Sequence, residues 1–245
     1  MLWTYPRVLA HRGAGKLAPE NTMAAMRCAL SHGFHAVEFD VMALKSGELV
    51  LMHDAELGRT IAGEGLVIDL SASELAQMDA GSWMAPQFAG EPVPGFAEVA
   101  QFCLAHDIWM NVEIKPAPGM EHETGRLVAA ACAQLPIGRV LLSSFSFTAL
   151  AAAHIVAPEV PRGLLVERVP PEWQLQLHKL HACALHVGAA FLDASTAAAV
   201  RQAGYGLFCY TVNDPAEAKR LLNMGVDAFC TDSIDVINAE FCDIN

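Results

Sequence analysis

The sequence is poor in charged residues, and poorest in positive ones. Charged side chains make up 17% of the 245 residues, and 15 Lys and Arg stand against 27 Asp and Glu, for a formal net charge of -12. Proteins that bind nucleic acid without regard to sequence draw their affinity from a basic surface that neutralises phosphates. The charge balance excludes that class, so any anionic ligand must meet a local group of cations or a metal ion.

The cysteines have neither the number nor the spacing of a disulfide framework. There are seven, an odd number, and no two are spaced as CxxC: Cys28, Cys103, Cys132, Cys183, Cys209, Cys230 and Cys242. This usage is typical of reduced thiols in the core of a cytoplasmic protein. We expect no disulfide framework and no zinc ion held by cysteine.

We expect neither secretion through the amino-terminal segment nor a membrane span. Pro6 and Arg7 interrupt the start of the chain before an apolar stretch of signal-peptide length is reached. One apolar run, residues 140–157, approaches the length of a membrane span, but four hydroxyl side chains and His154 break it and Pro158 follows it. We predict a buried strand and a buried helix there, in a cytoplasmic chain without stable membrane insertion.

Hydrophobic residues are abundant, at 53%, and they are arranged in short runs with Ala- and Leu-rich segments between them. Eight runs predict strands, at residues 7–10, 35–41, 107–114, 138–145, 162–166, 182–187, 205–212 and 226–231. Strands that alternate with helices indicate a parallel sheet. Eight strands in a chain of this length favour a closed (β/α)8 TIM barrel over an open doubly wound sheet, and we predict one α/β domain over residues 1–245.

Helix boundary residues support this division of the chain. Asn21 is a candidate N-cap for a helix that ends at Gly33. Asp214, followed by Pro215 and Glu217, has the pattern of an N-cap, a first-turn proline and a capping-box acid. Each of these helices leads directly into a predicted strand.

One interval interrupts the alternation. Residues 48–54 predict an extra strand, and residues 55–95 are too long for an ordinary loop between a strand and a helix. We predict a small inserted lobe at about 55–95, over one mouth of the barrel. The alternative is a long surface loop.

Acidic side chains occupy one face of two predicted strands. Glu38 and Asp40 alternate with apolar residues in "HAVEFDVM", and Glu113 and Lys115 do the same in "NVEIKP". If these are the carboxyl ends of parallel strands, the three acids converge where barrel enzymes have their active sites. Such a set suits a hard divalent cation, Mg²⁺ or Ca²⁺. The alternative is that the acids pair with Arg12 and Lys115 and bind nothing.

Histidines and cations lie at the same predicted strand ends. His11 and His53 each end an apolar run, so both can reach the mouth and act as general acid and base near neutral pH. Arg12 and Lys115 supply the fixed cations that a phosphate needs in an acidic protein. The glycines of "HRGAGK" let the backbone turn close to a ligand.

Seven sequence blocks occur in an order that resembles one enzyme family: "HRGAGKLAPENT", "VEFDVMALKSGELVLMHD", "LGRT", "VEIKP", "SSF", "YTVN" and "CTDSID". The ordered set covers nearly the whole chain and is similar to the glycerophosphodiester phosphodiesterase family. The resemblance implies a TIM barrel with a small insertion after the second strand region and one divalent cation, Mg²⁺ or Ca²⁺. It also implies hydrolysis of glycerophosphodiesters, such as glycerophosphocholine or glycerophosphoethanolamine, to an alcohol and sn-glycerol 3-phosphate.

The resemblance also implies roles for individual residues. The catalytic acid/base pair is His11 and His53, the metal ligands are Glu38, Asp40 and Glu113, and the substrate-binding residues are Arg12, Lys115 and Tyr210. Tyr210 stands where many members have tryptophan, a difference expected to affect substrate preference. An aromatic core residue is the alternative interpretation of Tyr210.

Two other functions remain open at this point. A lysophospholipase D-like hydrolase for longer lipids needs apolar surface at the mouth, and residues 82–88 are the candidate for it. A phosphate-binding barrel without catalysis is the other, although both histidines and all three acids are present. The substrate is in each case a small molecule and not nucleic acid, and the oligomeric state cannot be predicted.

Overall fold

The short apolar runs form the strands of one closed sheet. The computed structural model describes residues 3–241. Within that range the strands are β1 (Val8–Ala10), β2 (Ala36–Ala43), β3 (Leu49–Leu51), β4 (Trp109–Ile114), β5 (Val140–Ser144), β6 (Arg162–Val166), β7 (Ala184–Gly188), β8 (Gly206–Tyr210) and β9 (Ala228–Thr231). Nearly all their residues are buried, because helices cover the outside of a parallel barrel and side chains fill its interior.

Parallel pairing closes eight of these strands into a barrel. The hydrogen-bonded order is β1-β9-β8-β7-β6-β5-β4-β2, and Ala10 of β1 pairs with Val37 of β2 to complete the circle. The predicted TIM barrel is therefore confirmed, and its strands are the eight that the sequence predicts. The extra strand predicted at 48–54 is β3, which pairs antiparallel with residues 41–43 at the end of β2.

Helices connect the strands. They are α1 (Met23–Ser31), α2 (Ala72–Leu75), α3 (Phe96–Ala105), α4 (Glu121–Cys132), α5 (Phe147–Val156), α6 (Trp173–Leu180), α7 (Ala194–Gln202) and α8 (Pro215–Asn223). Asp214 is the N-cap of α8, as predicted, and accepts a hydrogen bond from the backbone N–H of Ala216. The prediction for α1 was wrong by one residue: Thr22 is its N-cap and accepts from Ala25. Asn21 lies in the left-handed region, with φ 58, which leaves its side chain for another role.

The apolar run at residues 140–157 divides into β5 and α5, as the sequence predicts. Helix α5 has ten residues, about half of the roughly 20 that a membrane-spanning helix needs. Within residues 3–241 no helix has the length and apolar character to cross a membrane.

Side chains fill the amino-terminal half of the barrel. Trp3 and Tyr5, just before β1, pack against an interior cluster formed by Leu9, Ala36, Trp109, Leu141, Phe208, Ala228 and Cys230. Because side chains alternate along a strand, the next inward residues on β2 and β4 are Glu38 and Asn111. The apolar filling therefore ends where the polar residues of the carboxyl mouth begin.

The segment between β3 and α3 forms a hydrophobic cluster together with residues of and near β2 and β3. It contains α2 and two short 3-10 helices, Val67–Asp69 and Pro86–Phe88. The cluster consists of Met42, Leu44, Val50, Met52, Ile61, Val67, Ile68, Leu75, Ala80, Val93 and Ala117. Ser71 and Glu74 form the capping box that their spacing indicates at the start of α2. The segment thus packs against the ends of β2 and β3.

His186 makes the stability of the barrel sensitive to acid. It is fully buried on β7, with its ring 4.6 Å from that of Phe208, and neither ring nitrogen has a hydrogen-bond partner within the described residues. Burial lowers its pKa from 6.5 to about 3. Between these pH values the unfolded chain binds a proton that the folded chain does not. The free energy of unfolding therefore decreases as the pH decreases, by up to about 1.4 kcal/mol per pH unit.

We therefore expect His186→Phe to reduce the loss of unfolding free energy between pH 7 and pH 5. Urea unfolding at the two pH values measures it. The control is His122→Phe, at an exposed position of α4, which should retain the wild-type dependence. An unchanged dependence in the His186 variant would show that other groups cause the acid sensitivity.

Candidate active site at the carboxyl ends of the strands

Three buried carboxylates meet at the carboxyl mouth of the barrel. Glu38 and Asp40 extend from β2 and Glu113 from β4, and the parallel register places Asp40 beside Glu113. One carboxylate oxygen from each lies within 4.8 Å of the other two. The three residues are only 1 to 8% exposed. The structure thus brings together the three acids that the sequence singles out, in a donor set of oxygens that suits Mg²⁺ or Ca²⁺.

Two protein cations face these acids but do not balance them. Lys115 Nζ lies 2.8 Å from Glu113 Oε1 and 3.4 Å from Asp40 Oδ1, and Arg12 Nε lies 3.5 Å from Asp40 Oδ2. Burial by itself would raise the pKa of Asp40, but Lys115 and Arg12 outweigh it and lower the pKa. Burial and the charge of Asp40 raise the pKa of Glu113 to about 8. A divalent cation at the three carboxylates would favour the ionised form of Glu113 and so counteract this rise.

His11 follows β1 directly and is held by a carboxylate on the neighbouring strand end. Its Nδ1 lies 2.6 Å from Asp232 Oδ1, and its Nε2 lies 3.7 Å from Glu38 Oε2. Asn213 donates to the other oxygen of Asp232 at 2.9 Å. Burial lowers the pKa of His11, but the hydrogen bond to Asp232 and the charge of Glu38 outweigh it, and the net effect raises the pKa.

His53 follows β3 and is held in a similar way. Its Nδ1 lies 2.6 Å from Asp54 Oδ1, and Arg59 Nε donates to the other carboxylate oxygen of Asp54 at 2.5 Å. Burial lowers the pKa of His53, and the positive charges of Arg12 and Lys115 add to this effect against the charge of Asp40. The pKa values of the two histidines are therefore shifted in opposite directions.

An ion-pair network connects Arg12 to the support of His53. Glu20 accepts hydrogen bonds from Arg12 Nη1 at 2.8 Å and from both Nη atoms of Arg59 at 2.7 and 2.8 Å. Arg12 and Arg59 are thereby fixed by the same carboxylate. Sequence reasoning missed this network, although Arg59 belongs to the quoted block "LGRT".

Asn21 positions a carboxylate instead of capping a helix. Its Nδ2 donates to Asp40 Oδ2 at 2.8 Å, and its Oδ1 accepts from the backbone N–H of Asp40 at 3.1 Å. The left-handed backbone at Asn21 directs the side chain into the barrel mouth rather than toward α1. The loop that begins with "HRGAGK" therefore contributes a histidine, a cation and a fixed amide to one site.

Tyr210 connects the acidic site to a larger pocket. It ends β8 and borders a small cavity together with His11, Glu38 and Glu113. It also lines a pocket of about 500 Å³ whose other lining residues are Phe145, Glu167, Gly188, Ala189, Ala190, Phe191 and Thr211. Its hydroxyl donates to the carbonyl oxygen of Val166 at 3.0 Å, which fixes the ring between the two spaces.

Comparison with known proteins identifies the family. A model described as the glycerophosphoryl diester phosphodiesterase family matches residues 11–236. The chain belongs to this family. It is 34% identical to the glycerophosphodiester phosphodiesterase of Caldanaerobacter subterraneus subsp. tengcongensis over 94% of this chain and 95% of that protein. It is 30% identical to a Bacillus subtilis glycerophosphodiester phosphodiesterase, over 94% of this chain and 84% of that one.

Solved structures of glycerophosphodiester phosphodiesterases share the fold. A phosphodiesterase from Oleispira antarctica, in complex with the product sn-glycerol-3-phosphate, superposes with a TM-score of 0.89 at 36% identity and covers 93% of both chains. The enzyme from Agrobacterium tumefaciens superposes at 0.77 with 27% identity, over 95% of this chain and 98% of that one. This chain is therefore an enzyme of the glycerophosphodiester phosphodiesterase class with a TIM-barrel fold.

In this family member, Gly15 permits the close approach of two loops. Its φ is +55, and a Cβ atom there would lie 2.1 Å from Asp232 Cα. Gly33 has a similar φ of +78, but no described atom lies within 4 Å of its Cβ position. Gly15→Ala would therefore move Asp232 away from His11, whereas Gly33→Ala adds only backbone strain.

We expect Gly15→Ala to lower turnover by roughly 10-fold to 100-fold, because Asp232 positions His11, the candidate proton carrier, and a displacement of about 1 Å at a reacting group has this usual effect. Gly33→Ala should leave turnover unchanged and cost about 1 kcal/mol of stability. Steady-state kinetics and urea unfolding of both variants test this. Equal turnover in the two variants would contradict the role of the loop contact.

Proposed function

We propose that this chain hydrolyses glycerophosphodiesters, such as glycerophosphocholine or glycerophosphoethanolamine, to an alcohol and sn-glycerol 3-phosphate with a divalent cation. The proposal is carried by the carboxylates of Glu38, Asp40 and Glu113, which lie within 4.8 Å of one another among two histidines and two cations. The names of the relatives and the product bound to the Oleispira antarctica structure support it.

The three carboxylates would hold Mg²⁺ or Ca²⁺. When bound, such an ion polarises phosphate oxygens and neutralises the charge that develops on them. Arg12 and Lys115 would bind the remaining phosphate oxygens, since each is held near the acids by an ion pair. With a divalent cation bound, its charge and those of Arg12 and Lys115 would exceed the charge of the three carboxylates and would attract an anionic diester to a protein of net charge -12.

We further propose that His11 and His53 act as the acid/base pair. One histidine accepts the proton of the attacking oxygen, and the other donates a proton to the alcohol oxygen as its bond to phosphorus breaks. The attacking oxygen belongs either to the glycerol hydroxyl next to the ester, with water opening the cyclic phosphate afterwards, or to water directly. Burial raises the pKa of the Cys230 thiol well above its ordinary value, which argues against a thiolate nucleophile.

The first experiment is release of sn-glycerol 3-phosphate from glycerophosphocholine by protein stripped with EDTA. We expect no release without metal and restored release with Mg²⁺ or Ca²⁺, which also identifies the preferred ion. Protein carrying His11→Ala, purified in parallel, controls for contaminating phosphodiesterase. A folded protein that releases no product with either ion would contradict the proposal.

A lysophospholipase D-like activity is the second candidate. Phe145 and Phe147, at the end of β5 and the start of α5, are 48% and 39% exposed, and Phe145 lines the pocket next to the acidic site. In residues 82–88, the side chain of Trp83 is 44% exposed. Phe88 instead packs against the hydrophobic core between the strands and helices of the barrel. Hydrolysis of lysophosphatidylcholine faster than glycerophosphocholine would favour this activity.

We also propose that residues 1–245 form a single cytoplasmic domain with a small inserted lobe at about 55–95. The second hydrophobic cluster, to which Ile61, Ile68 and Leu75 belong, supports the lobe. The absence of cysteine spacing typical of disulfides supports the location. Cell fractionation with antibody detection tests the location, and recovery in the membrane fraction would contradict it.

A further inference from the structure

The pocket beside Tyr210 has the dimensions and position to receive a substituent of the bound phosphate. Its volume of about 500 Å³ exceeds that of the small cavity at the acids, about 20 Å³, and Tyr210 lines both. Lys115 Nζ, which pairs with Glu113, lies 5.7 Å from the ring centre of Phe145 on the pocket wall. A phosphate bound at Lys115 would therefore lie close to the pocket wall, within reach of a substituent that occupies the pocket.

The walls of the pocket are aromatic on two sides. Tyr210 and Phe145 meet edge to face, with ring centres 5.7 Å apart and planes at 88°, and Phe191 forms a further wall. Gly188 lies between them, and a Cβ there would approach Phe191 Cδ2 to 3.1 Å and the carbonyl oxygen of Glu167 to 3.0 Å. A side chain at Gly188 would thus press on two residues of the pocket wall.

Glu167 supplies the charge of the pocket. It is the only charged residue among those that line it. Arg168, the next residue, lies over the ring of Phe191 at 3.7 Å but is not part of the lining. The hydroxyl of Tyr210 is already bonded to Val166. A carboxylate beside aromatic rings is the environment that attracts an alkylammonium group, whereas a neutral polyol needs more hydrogen-bond partners.

We propose that this pocket binds the cationic amine of the alcohol esterified to the phosphate, so that the chain prefers glycerophosphodiesters of amino alcohols over those of neutral alcohols. Glu167 and the rings of Phe145 and Tyr210 determine this preference. The inference rests on the proposed function, because it assumes that the phosphate binds at the acidic site. Beyond that function, the inference states that the enzyme selects its substrates by the charge of the leaving alcohol.

The test compares kcat/KM for glycerophosphocholine with that for glycerophosphoglycerol, whose alcohol is neutral. We expect the wild type to prefer glycerophosphocholine. Glu167→Gln should lower kcat/KM for that substrate about fivefold and change the neutral substrate less than twofold, as suits a partly solvated charge. Glu172→Gln, exposed just before α6 and outside the pocket lining, is the matched control and should leave both values unchanged.

The outcomes separate the two proposals. A wild type that prefers the neutral substrate, or a Glu167 variant that loses the same factor on both, would overturn the pocket assignment while the phosphodiesterase activity stands. If neither diester is hydrolysed with any metal, the proposed function fails. The pocket is then judged by calorimetry, and equal affinity of the wild type for the two diesters overturns it.

Discussion

Replacing His11 with alanine is expected to lower turnover of glycerophosphocholine by about 100-fold or more while divalent-cation binding persists. Loss of general acid or base assistance has this usual magnitude. His11 contacts Glu38 only at 3.7 Å and is held instead by Asp232 at 2.6 Å. Its removal would therefore delete the proposed proton-transfer group and leave the three carboxylates in place. Kinetics on metal-saturated protein and titration calorimetry with Mg²⁺ measure the two quantities.

The matched control for this experiment is His32→Ala. His32 is exposed at the end of α1, on the amino-terminal side of β2, and its loss should change neither quantity. Turnover of the His11 variant at the wild-type level would remove His11 from the mechanism. A parallel loss of metal affinity would show that the residue acts through the metal site and not as a proton carrier.

Replacing Glu113 with glutamine is expected to weaken divalent-cation binding at least about tenfold and to stabilise the metal-free protein. The first effect follows from the loss of a charged oxygen ligand. The second follows from the three carboxylates that folding brings within 4.8 Å, which repel one another in the absence of a cation. An amide of nearly the same shape removes one of those charges.

The stabilisation of the metal-free protein by Glu113→Gln should depend on pH. The pKa of Glu113 rises from 4.5 in the unfolded chain to about 8 in the folded protein. As pH increases between these values, the unfolded chain releases a proton that the folded protein retains, so this group lowers the stability of the metal-free protein. The wild type in EDTA should therefore lose more thermal stability from pH 5 to pH 8 than the Glu113→Gln variant.

Glu123→Gln is the matched control, since this α4 side chain is 44% exposed and pairs with Arg126. Thermal melts in EDTA at pH 5 and pH 8, followed by titration with Mg²⁺ or Ca²⁺, compare the three proteins. The cation should raise the melting temperature of the wild type and the control more than that of the Glu113 variant. Wild-type metal affinity in that variant would refute the ligand set.

The acidic cluster could be predicted because its causes are local. Side chains alternate along a strand, so the spacing of Glu38 and Asp40 places both on the inner face of β2. Parallel strands share one carboxyl end, and the observed register then aligns Asp40 with Glu113. His11 and His53 follow strands by the same reasoning. For these residues, strand assignment and the expected parallel arrangement of the strands sufficed.

The supporting residues could not be predicted in the same way. Asp232 lies 221 positions from His11 in the sequence, and only the pairing of β1 with β9 makes them neighbours. Asn21 is a residue type that often caps helices, and its position before α1 favoured that role. Its left-handed backbone, which turns the side chain toward Asp40, has no marker in the sequence. A polar residue directly after β9 was the available signal for Asp232, because β9 is next to β1 in a closed barrel.

The alternation of strands and helices, the closed barrel and the inward face that carries the acids could be predicted from the sequence, because each depends on periodicity and strand count. The structure was needed to establish which side chains hold the histidines and what surrounds Arg12 and Lys115. It also decided that Glu167 shares a pocket with Phe145 and Tyr210. These contacts join residues far apart in the chain, and their geometry follows from the strand register and the loop conformations, which no local pattern encodes.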